Sequence, residues 1–204
     1  MDLHQLVRST VLMFVLINPF LLSIYLMDLL QRLDAARLRA VLLRAAAIAG
    51  VVFAVVAMVG EALFTDVLQV RYAAFLLFGG AIFLLVGLRM VFGGAEALTL
   101  LRGEPEHLAG AVAMPFLIGP GTVNASILAG TKLSSIGATL SIALALAASM
   151  IGLALLKWVY DHVRDRYTAL VGRYVDIVGR LSALVIGSIA VDMMLHGIDL
   201  WKRQ

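Results

Sequence analysis

Two short sequences, Ile17-Asn18-Pro19-Phe20 and Ile118-Gly119-Pro120-Gly121, decide how this chain folds. Each interrupts a long hydrophobic segment, and the two lie about half a chain length apart. A proline cannot donate the helical hydrogen bond, and its ring clashes with the carbonyl four residues earlier, so each sequence predicts a broken helix. Irregular backbone at membrane depth persists only where it is buried in protein or lines a cavity. Paired breaks in two halves therefore indicate a binding site at a repeat interface.

The composition is that of an integral membrane protein. Hydrophobic residues make up 62% of the chain, and the mean hydropathy is +1.01, whereas about 45–50% apolar residues is usual for a soluble domain. Crossing a bilayer takes about 20 residues. Six windows with few charges reach or approach that length, namely 9–27, 45–60, 72–88, 107–131, 133–156 and 181–198. We therefore predict a single all-α transmembrane domain over 1–204, in the cell membrane.

The same composition argues against several classes of protein. The chain has no cysteine, which excludes disulfides, thiol redox chemistry and thiolate metal ligation. No cofactor and no metal site are expected. The net charge of +3 comes from basic residues at the ends of the spans, which orientation in the membrane explains. Hence the predicted surroundings are the lipid bilayer, and no nucleic-acid partner is expected.

The basic residues also predict the topology. With six spans, one face collects both termini and five basic residues, and the other face collects eleven. The excess of positive charge places the second face in the cytoplasm, with both termini outside. Since each half has three spans, the second half enters the membrane from the opposite side, which predicts two inverted repeats at about 1–100 and 101–204. The stretch 157–180 is predicted to lie along the cytoplasmic face as an amphipathic helix.

The breaks have a chemistry of their own. At a rise of 1.5 Å per residue they lie roughly 18–20 Å from the ends of their spans, near the midplane of the membrane. Free N–H groups after a break suit a carboxylate, and free carbonyls before it suit an ammonium group, so a small zwitterion fits. The alternative is that the prolines only kink their helices and polar side chains satisfy the freed backbone. The predicted substrate-binding residues are Asn18, Pro19, Phe20, Gly119, Pro120, Gly121, Thr122 and Asn124.

One carboxylate, Asp192, lies about 18 Å into the sixth span. An ionised carboxylate at that depth costs at least a few kcal/mol, so Asp192 should face the interior, pair with another group or carry a proton. His196 is four residues later, on the same helical face. We predict that Asp192 and His196 couple transport to an ion. The alternative is a hydrogen-bonded structural Asp192 with His196 at the membrane interface.

Several motifs together resemble the MarC family over essentially the whole chain. They are Asn-Pro-Phe at 18–20, Gly79-Gly80 with Leu84, Pro115 followed by Gly119-Pro120-Gly121, and Gly187 with Ala190-Val191. The resemblance implies a six-helix inverted-repeat transporter of the LysE-like group. Within this family the chain is similar to SnatA-type members, which move glycine, alanine and similar neutral amino acids with a proton or sodium gradient. The chain departs from the family at 21–25, which lacks a further proline, and at Asp192, where glutamine is expected.

The leading hypothesis is thus a secondary active transporter of small neutral amino acids, with the substrate held between the broken first and fourth helices. Alternatives are a LysE-like exporter of amino acids or small metabolites, and a passive channel. An enzyme is not predicted, because the chain has neither a His-Glu-x-x-His motif nor a second deep aspartate. A nucleotide-binding Gly-x-x-x-x-Gly-Lys-Ser/Thr motif is also missing from the sequence. The oligomeric state is left open.

Overall fold

The structure, a computed structural model, describes residues 2–26, 30, 33–93, 117–163 and 168–203. All of its regular elements in these ranges are helices. A π-helical turn, Leu63–Val67, follows the α-helix Ala35–Val59. The α-helices are α1 (Leu3–Ile17), α2 (Pro19–Tyr25), α3 (Ala35–Val59), α4 (Tyr72–Gly93), α5 (Pro120–Lys132), α6 (Ser135–Val163) and α7 (Thr168–Arg203).

Within the described ranges, five stretches are long and apolar enough to cross a membrane. They confirm the predicted all-helical membrane protein. The predicted span at 107–131 is described only in its second half, which is α5; its first half lies outside the described residues, as does the boundary between the two predicted repeats. The five stretches are Leu3–Ser23, Ala35–Val59, Tyr72–Gly93, Ser135–Val159 and Ile177–Arg203.

Small side chains bring α3 and α6 together. Ala45 and Ala49 on α3, and Ala145 on α6, are completely buried. Methyl side chains keep two helix axes close, which favours packing inside a membrane, where lipid offers no hydrophobic driving force between helices. Phe53 is also completely buried in the same cluster, which takes in Met13 of α1. The result is a tight pair of helices against which α1 packs.

The second pair is α4 with α7. Met90 of α4, and Ala183 and Ile186 of α7, form a buried cluster to which α2 contributes Leu21. A further cluster joins the start of α4, the π-helical turn and α7 to α5 through Ile127. Both α2 and α5 also contribute to the core around α3 and α6. The two helices that begin at the breaks therefore lie between the α3/α6 pair and the α4/α7 pair.

The predicted amphipathic helix at 157–180 is wrong for the described residues. The helix α6 continues to Val163, and α7 runs without interruption from Thr168 through the last predicted span. Near the end of α6, Lys157 is buried but forms an ion pair of 2.6 Å with Asp161, one helical turn later. The pair satisfies the cation within α6, whose candidate membrane-crossing stretch ends at Val159.

Candidate functional site

At the first break, one asparagine ends a helix and begins the next. The backbone of Asn18 has φ 46°, in the left-handed region, which asparagine tolerates better than most other residues. Its N–H donates to the carbonyl of Phe14 over 2.9 Å, which closes α1. Its side-chain oxygen accepts from the N–H of Leu21 over 3.1 Å, which caps α2. Pro19 is the first residue of α2, where its missing N–H has no intrahelical partner to lose.

At the second break, a threonine hydroxyl satisfies the freed backbone. Gly119 is extended, with φ −109° and ψ 170°, and Pro120 is the first residue of α5. The hydroxyl of Thr122 accepts from the N–H of Gly119 over 2.9 Å. It also lies 2.8 Å from the carbonyl of Leu117 and 2.9 Å from that of Gly119, to either of which it can donate. Thr122 is completely enclosed, so these backbone groups are paired without water.

The fold brings the two breaks together. A Cβ atom on Gly121 would lie 3.1 Å from Cδ2 of Leu16, just before the first break, and would overlap the ring of Phe83 on α4. A Cβ on Gly79 of α4 would likewise overlap the ring of Pro120. Only glycine allows such close approach of neighbouring groups to the backbone. The second break is therefore held against both α4 and the end of α1.

The other predicted binding residues are placed differently. Pro19 faces α6, where a Cβ on Gly152 would lie 3.3 Å from it. Asn124 accepts a hydrogen bond from the Tyr72 hydroxyl, which ties α5 to α4. Phe20 is exposed and does not fill the contact between the breaks. The structure thus gathers the backbone of both breaks and Thr122 at one place, but leaves the Phe20 ring outside it.

The first turn of α5 offers open hydrogen-bond donors. The first N–H groups of an α-helix have no intrahelical acceptor. Val123 is the first residue of α5 to form such a bond, to the carbonyl of Gly119 over 3.0 Å. The N–H groups of Gly121 and Thr122 precede it and have no acceptor among the described residues. Two adjacent donors at the positive end of a helix suit a carboxylate.

Asp192 and His196 lie on another surface. Both are exposed on the same side of α7, as their spacing requires. The next residue, Met193, is buried in the core against α4. Its Cε atom lies 3.7 Å from the position that a Cβ atom on Gly79 would occupy. In the described ranges the side chains of Asp192 and His196 have no hydrogen bond or ion pair. Asp192 therefore does not face the described interior, and ion coupling by this pair remains a prediction.

Sequence reasoning missed a polar cavity of about 400 Å³ between α1 and α5. Its basic residues, Arg8 and Lys132, entered the sequence analysis only through the prediction of membrane topology. The signal available in the sequence was the spacing of Gln5, Arg8 and Ser9, which puts a polar face on an otherwise apolar span. Phe83 was missed as well, and nothing distinguishes it in the sequence of α4 from its apolar neighbours. No group of His, Asp and Glu in the described part of the chain could hold a metal ion.

Comparison with known proteins gives the family. Residues 3–201 match the MarC family of integral membrane proteins. The UPF0056 inner membrane protein YhgN of Escherichia coli (strain K12) is 26% identical over 204 residues, which cover 98% of this chain and all of that protein. A UPF0056 membrane protein of Buchnera aphidicola (subsp. Schizaphis graminum) is 26% identical over 206 residues, with 98% and 100% covered.

A third relative matches over part of its length. The UPF0056 membrane protein MJ1677 of Methanocaldococcus jannaschii is 34% identical over 134 residues, which cover 61% of this chain and 62% of that protein. No solved structure matches the chain. The family match extends over both helix breaks and over all the helices of the site. This chain therefore belongs to the MarC family of integral membrane proteins.

Proposed function

We propose that this protein is a secondary active transporter of small neutral amino acids, such as glycine and alanine, driven by a proton or sodium gradient. The observation that carries the proposal is the meeting of two helix breaks in the core, with Leu16 and Phe83 against Gly121. Interrupted membrane helices that meet at the interface of two repeats are the usual construction of a transporter substrate site. The proposed location is the inner membrane, which the name of the YhgN relative specifies for that protein.

The substrate carboxylate would bind to the open N–H groups of Gly121 and Thr122 at the start of α5. The ammonium group would face the carbonyls of α1 that follow Phe14, which have no intrahelical donor. Thr122 itself would position the backbone and not the substrate, because its hydroxyl is engaged with Gly119 and Leu117. In the described conformation Leu16 and Phe83 fill the space beside Gly121. They must move for a ligand to bind, which is consistent with alternating access.

The proposed architecture is six membrane-spanning helices in two inverted repeats, about 1–100 and 101–204, with both termini outside. Two features support it. Both α2 and α5 begin with a proline directly after a break. Both also lie between the same two helix pairs, α3/α6 and α4/α7, as related elements of two repeats would.

A proton is the coupling ion that suits Asp192 better. This carboxylate lies near the middle of the span Ile177–Arg203 and has no partner among the described residues. A lone carboxylate at membrane depth costs least when it is protonated. A sodium ion would need several oxygen ligands, and within one turn of Asp192 the exposed side of α7 adds only the Ser188 hydroxyl. His196 would pass the proton to the outer surface.

The two alternatives differ from this proposal in ways that can be measured. A LysE-like exporter would share the site but differ in its substrate and in the direction of transport. A passive channel would need an open path, and the packing of Leu16 and Phe83 against Gly121 disfavours one. Saturation and direction of flux separate the three.

The experiment is uptake of labelled glycine and alanine into proteoliposomes under imposed proton or sodium gradients. Wild type is compared with Gly121→Val and Asp192→Asn, each checked for folded protein. We expect saturable, gradient-stimulated uptake that Gly121→Val abolishes, and loss of proton stimulation in Asp192→Asn. No flux of either amino acid from folded wild-type protein would contradict the proposal, and flux that does not saturate would favour the channel.

A further inference from the structure

The cavity between α1 and α5 is lined by one face of each helix. On α1 the lining residues follow the three- and four-residue spacing of a single helical face, and on α5 they do the same. The cavity has a volume of about 400 Å³. The lining residues are Gln5, Arg8, Ser9 and Leu12 of α1, and Ala125, Leu128 and Lys132 of α5.

These two faces continue inward to the helix breaks. Leu16 follows Leu12 by one turn on α1, and Gly121 precedes Ala125 by one turn on α5, so both continue the lining faces. Leu16 and Gly121 are in contact. At 1.5 Å per residue, the inner end of the cavity lies about 6 Å along α1 from that contact. The cavity thus lies on the same two helix faces as the contact between Leu16 and Gly121, about one turn farther from the breaks.

The charge of the cavity has one sign. Arg8 and Lys132 are both exposed, and the lining includes no aspartate and no glutamate. Neither cation forms an ion pair with any described residue. A cleft lined by one sign of charge, with low-dielectric walls, concentrates ions of the opposite sign. An arginine guanidinium also matches the geometry of a carboxylate, with which it can form two parallel hydrogen bonds.

We propose that this cavity is a vestibule that selects for ligands carrying a carboxylate and against cationic amino acids, and that Arg8 and Lys132 make the selection. The preference for anions is a property of the cavity alone. Its use by amino acids rests on the proposed function. Neutral amino acids pass because they present their carboxylate to the two cations, whereas a ligand with an excess positive charge is repelled.

A cysteine reporter tests the vestibule without requiring transport. The natural chain has no cysteine, so Ser9→Cys introduces a single reactive thiol in the cavity lining. Thr65→Cys is the matched control, because position 65 is exposed in the π-helical turn and two membrane-crossing stretches place it at the same end as the N-terminus. Each is labelled with an anionic sulfonate and a cationic ammonium methanethiosulfonate reagent, in phosphatidylcholine vesicles at low ionic strength.

We expect the thiol at position 9 to react preferentially with the anionic reagent. Adding Arg8→Gln and Lys132→Gln should lower the ratio of anionic to cationic labelling rates by about tenfold, within the range that a charged cleft produces. The ratio at position 65 should not change. Equal ratios at position 9 with and without the two cations would overturn the proposal. So would a thiol at position 9 that neither reagent reaches while the one at position 65 reacts.

Protection by ligands then separates the vestibule from the proposed function. Propionate, which has only the carboxylate of alanine, should slow labelling at position 9, and ethylamine, which has only the amine, should not. Protection by propionate should disappear in the Arg8→Gln, Lys132→Gln background. If propionate protects but neither alanine nor glycine does, and no amino acid is transported, the vestibule stands and the amino-acid function fails. If alanine is transported but propionate gives no protection, the vestibule fails and the function stands.

Discussion

The two helix breaks share a plan but close in opposite directions. Each has a capping residue followed by a proline at the first helical position. At the first break, Asn18 reaches forward to the N–H of Leu21. At the second, Gly119 has no side chain to reach with, and Thr122, at the position equivalent to Leu21, reaches back to it. Forward capping uses up a donor of the new helix, whereas backward capping leaves that donor open.

The number of open donors therefore differs between the breaks. In the first turn of α2, only the N–H of Phe20 remains without an acceptor among the described residues once Leu21 is capped. In the first turn of α5, the N–H groups of Gly121 and Thr122 are both left. The residue after the proline differs too. Phe20, at the break with fewer open donors, carries a large ring, whereas Gly121, at the break with more, has no side chain. The comparison supports the proposal that the start of α5 binds the substrate carboxylate, whereas the capped start of α2 has fewer donors to offer.

The largest expected effect, on amino-acid uptake, comes from exchanging this post-proline position. Gly121→Val places branched carbons where Phe83 and Leu16 already lie, and overpacking of this kind costs about 1–3 kcal/mol. Phe20→Val, at the equivalent position of the first break, alters an exposed ring and should cost less than about 1 kcal/mol. Thermal unfolding in detergent and amino-acid uptake per folded molecule measure both. Equal losses in the two variants would contradict the asymmetry between the breaks.

The sequence was sufficient to predict the breaks because their causes are local. Proline lacks a donor wherever it stands, so Pro19 and Pro120 predict interrupted helices without any tertiary contact. The role of Asn18 and Thr122 in satisfying freed backbone was foreseen only as the alternative to direct substrate binding, and the described hydrogen bonds match that alternative. Local reasoning could not choose between the two, because that choice depends on where the side-chain atoms point.

The contacts across the site could not be predicted for a different reason. Helix α4 is apolar on every side, so its sequence has no periodicity to indicate that Phe83 points at Gly121. From its cost in lipid, Asp192 was predicted to face the interior, pair with another group or carry a proton, and the packing of Met193 against α4 turns the carboxylate outward. Both features depend on how two packed helices are rotated about their axes relative to each other. The sequence of either helix alone does not determine that rotation.

The second prediction removes the backward cap. Thr122→Val keeps the shape of the side chain but leaves the N–H of Gly119 and the carbonyl of Leu117 unpaired in a buried position, at about 1–3 kcal/mol. Thr122→Ser keeps the hydroxyl and should recover most of the loss. Thr139→Val is the matched control, because the Thr139 hydroxyl bonds only within its own helix at an exposed position. The midpoint of thermal unfolding should order the variants, and a large loss for Thr139→Val would undermine the explanation.

The third prediction removes the forward cap. Asn18→Ala loses the hydrogen bond to Leu21, about 1 kcal/mol, and also places alanine in a left-handed conformation, at about 1–2 kcal/mol more. Asn18→Gly loses the same hydrogen bond but accepts the left-handed backbone without strain. The order of unfolding midpoints should be wild type, then Asn18→Gly, then Asn18→Ala. If glycine is no better than alanine, the backbone of Asn18 does not contribute as described.

The smallest effect concerns the residue four positions after each proline. Asn124 bonds across to Tyr72 of α4, whereas its counterpart Ser23 bonds back to Phe20 within its own helix. Removing the tyrosine hydroxyl in Tyr72→Phe should cost about 0.5–1.5 kcal/mol. Ser23→Ala should cost less, because the Phe20 carbonyl keeps a helical partner.

A double-mutant cycle makes this difference decisive. Tyr72→Phe and Asn124→Ala remove the two ends of one hydrogen bond, so their unfolding free energies should fail to add by about 0.5 kcal/mol or more. Tyr72→Phe and Ser23→Ala share no partner and should add. Additivity in both cycles would mean that α5 is not tied to α4 through Asn124. Coupling in the first alone would show that the open helix start at Gly121 is anchored from outside its own helix, which is what a site that must keep its donors free requires.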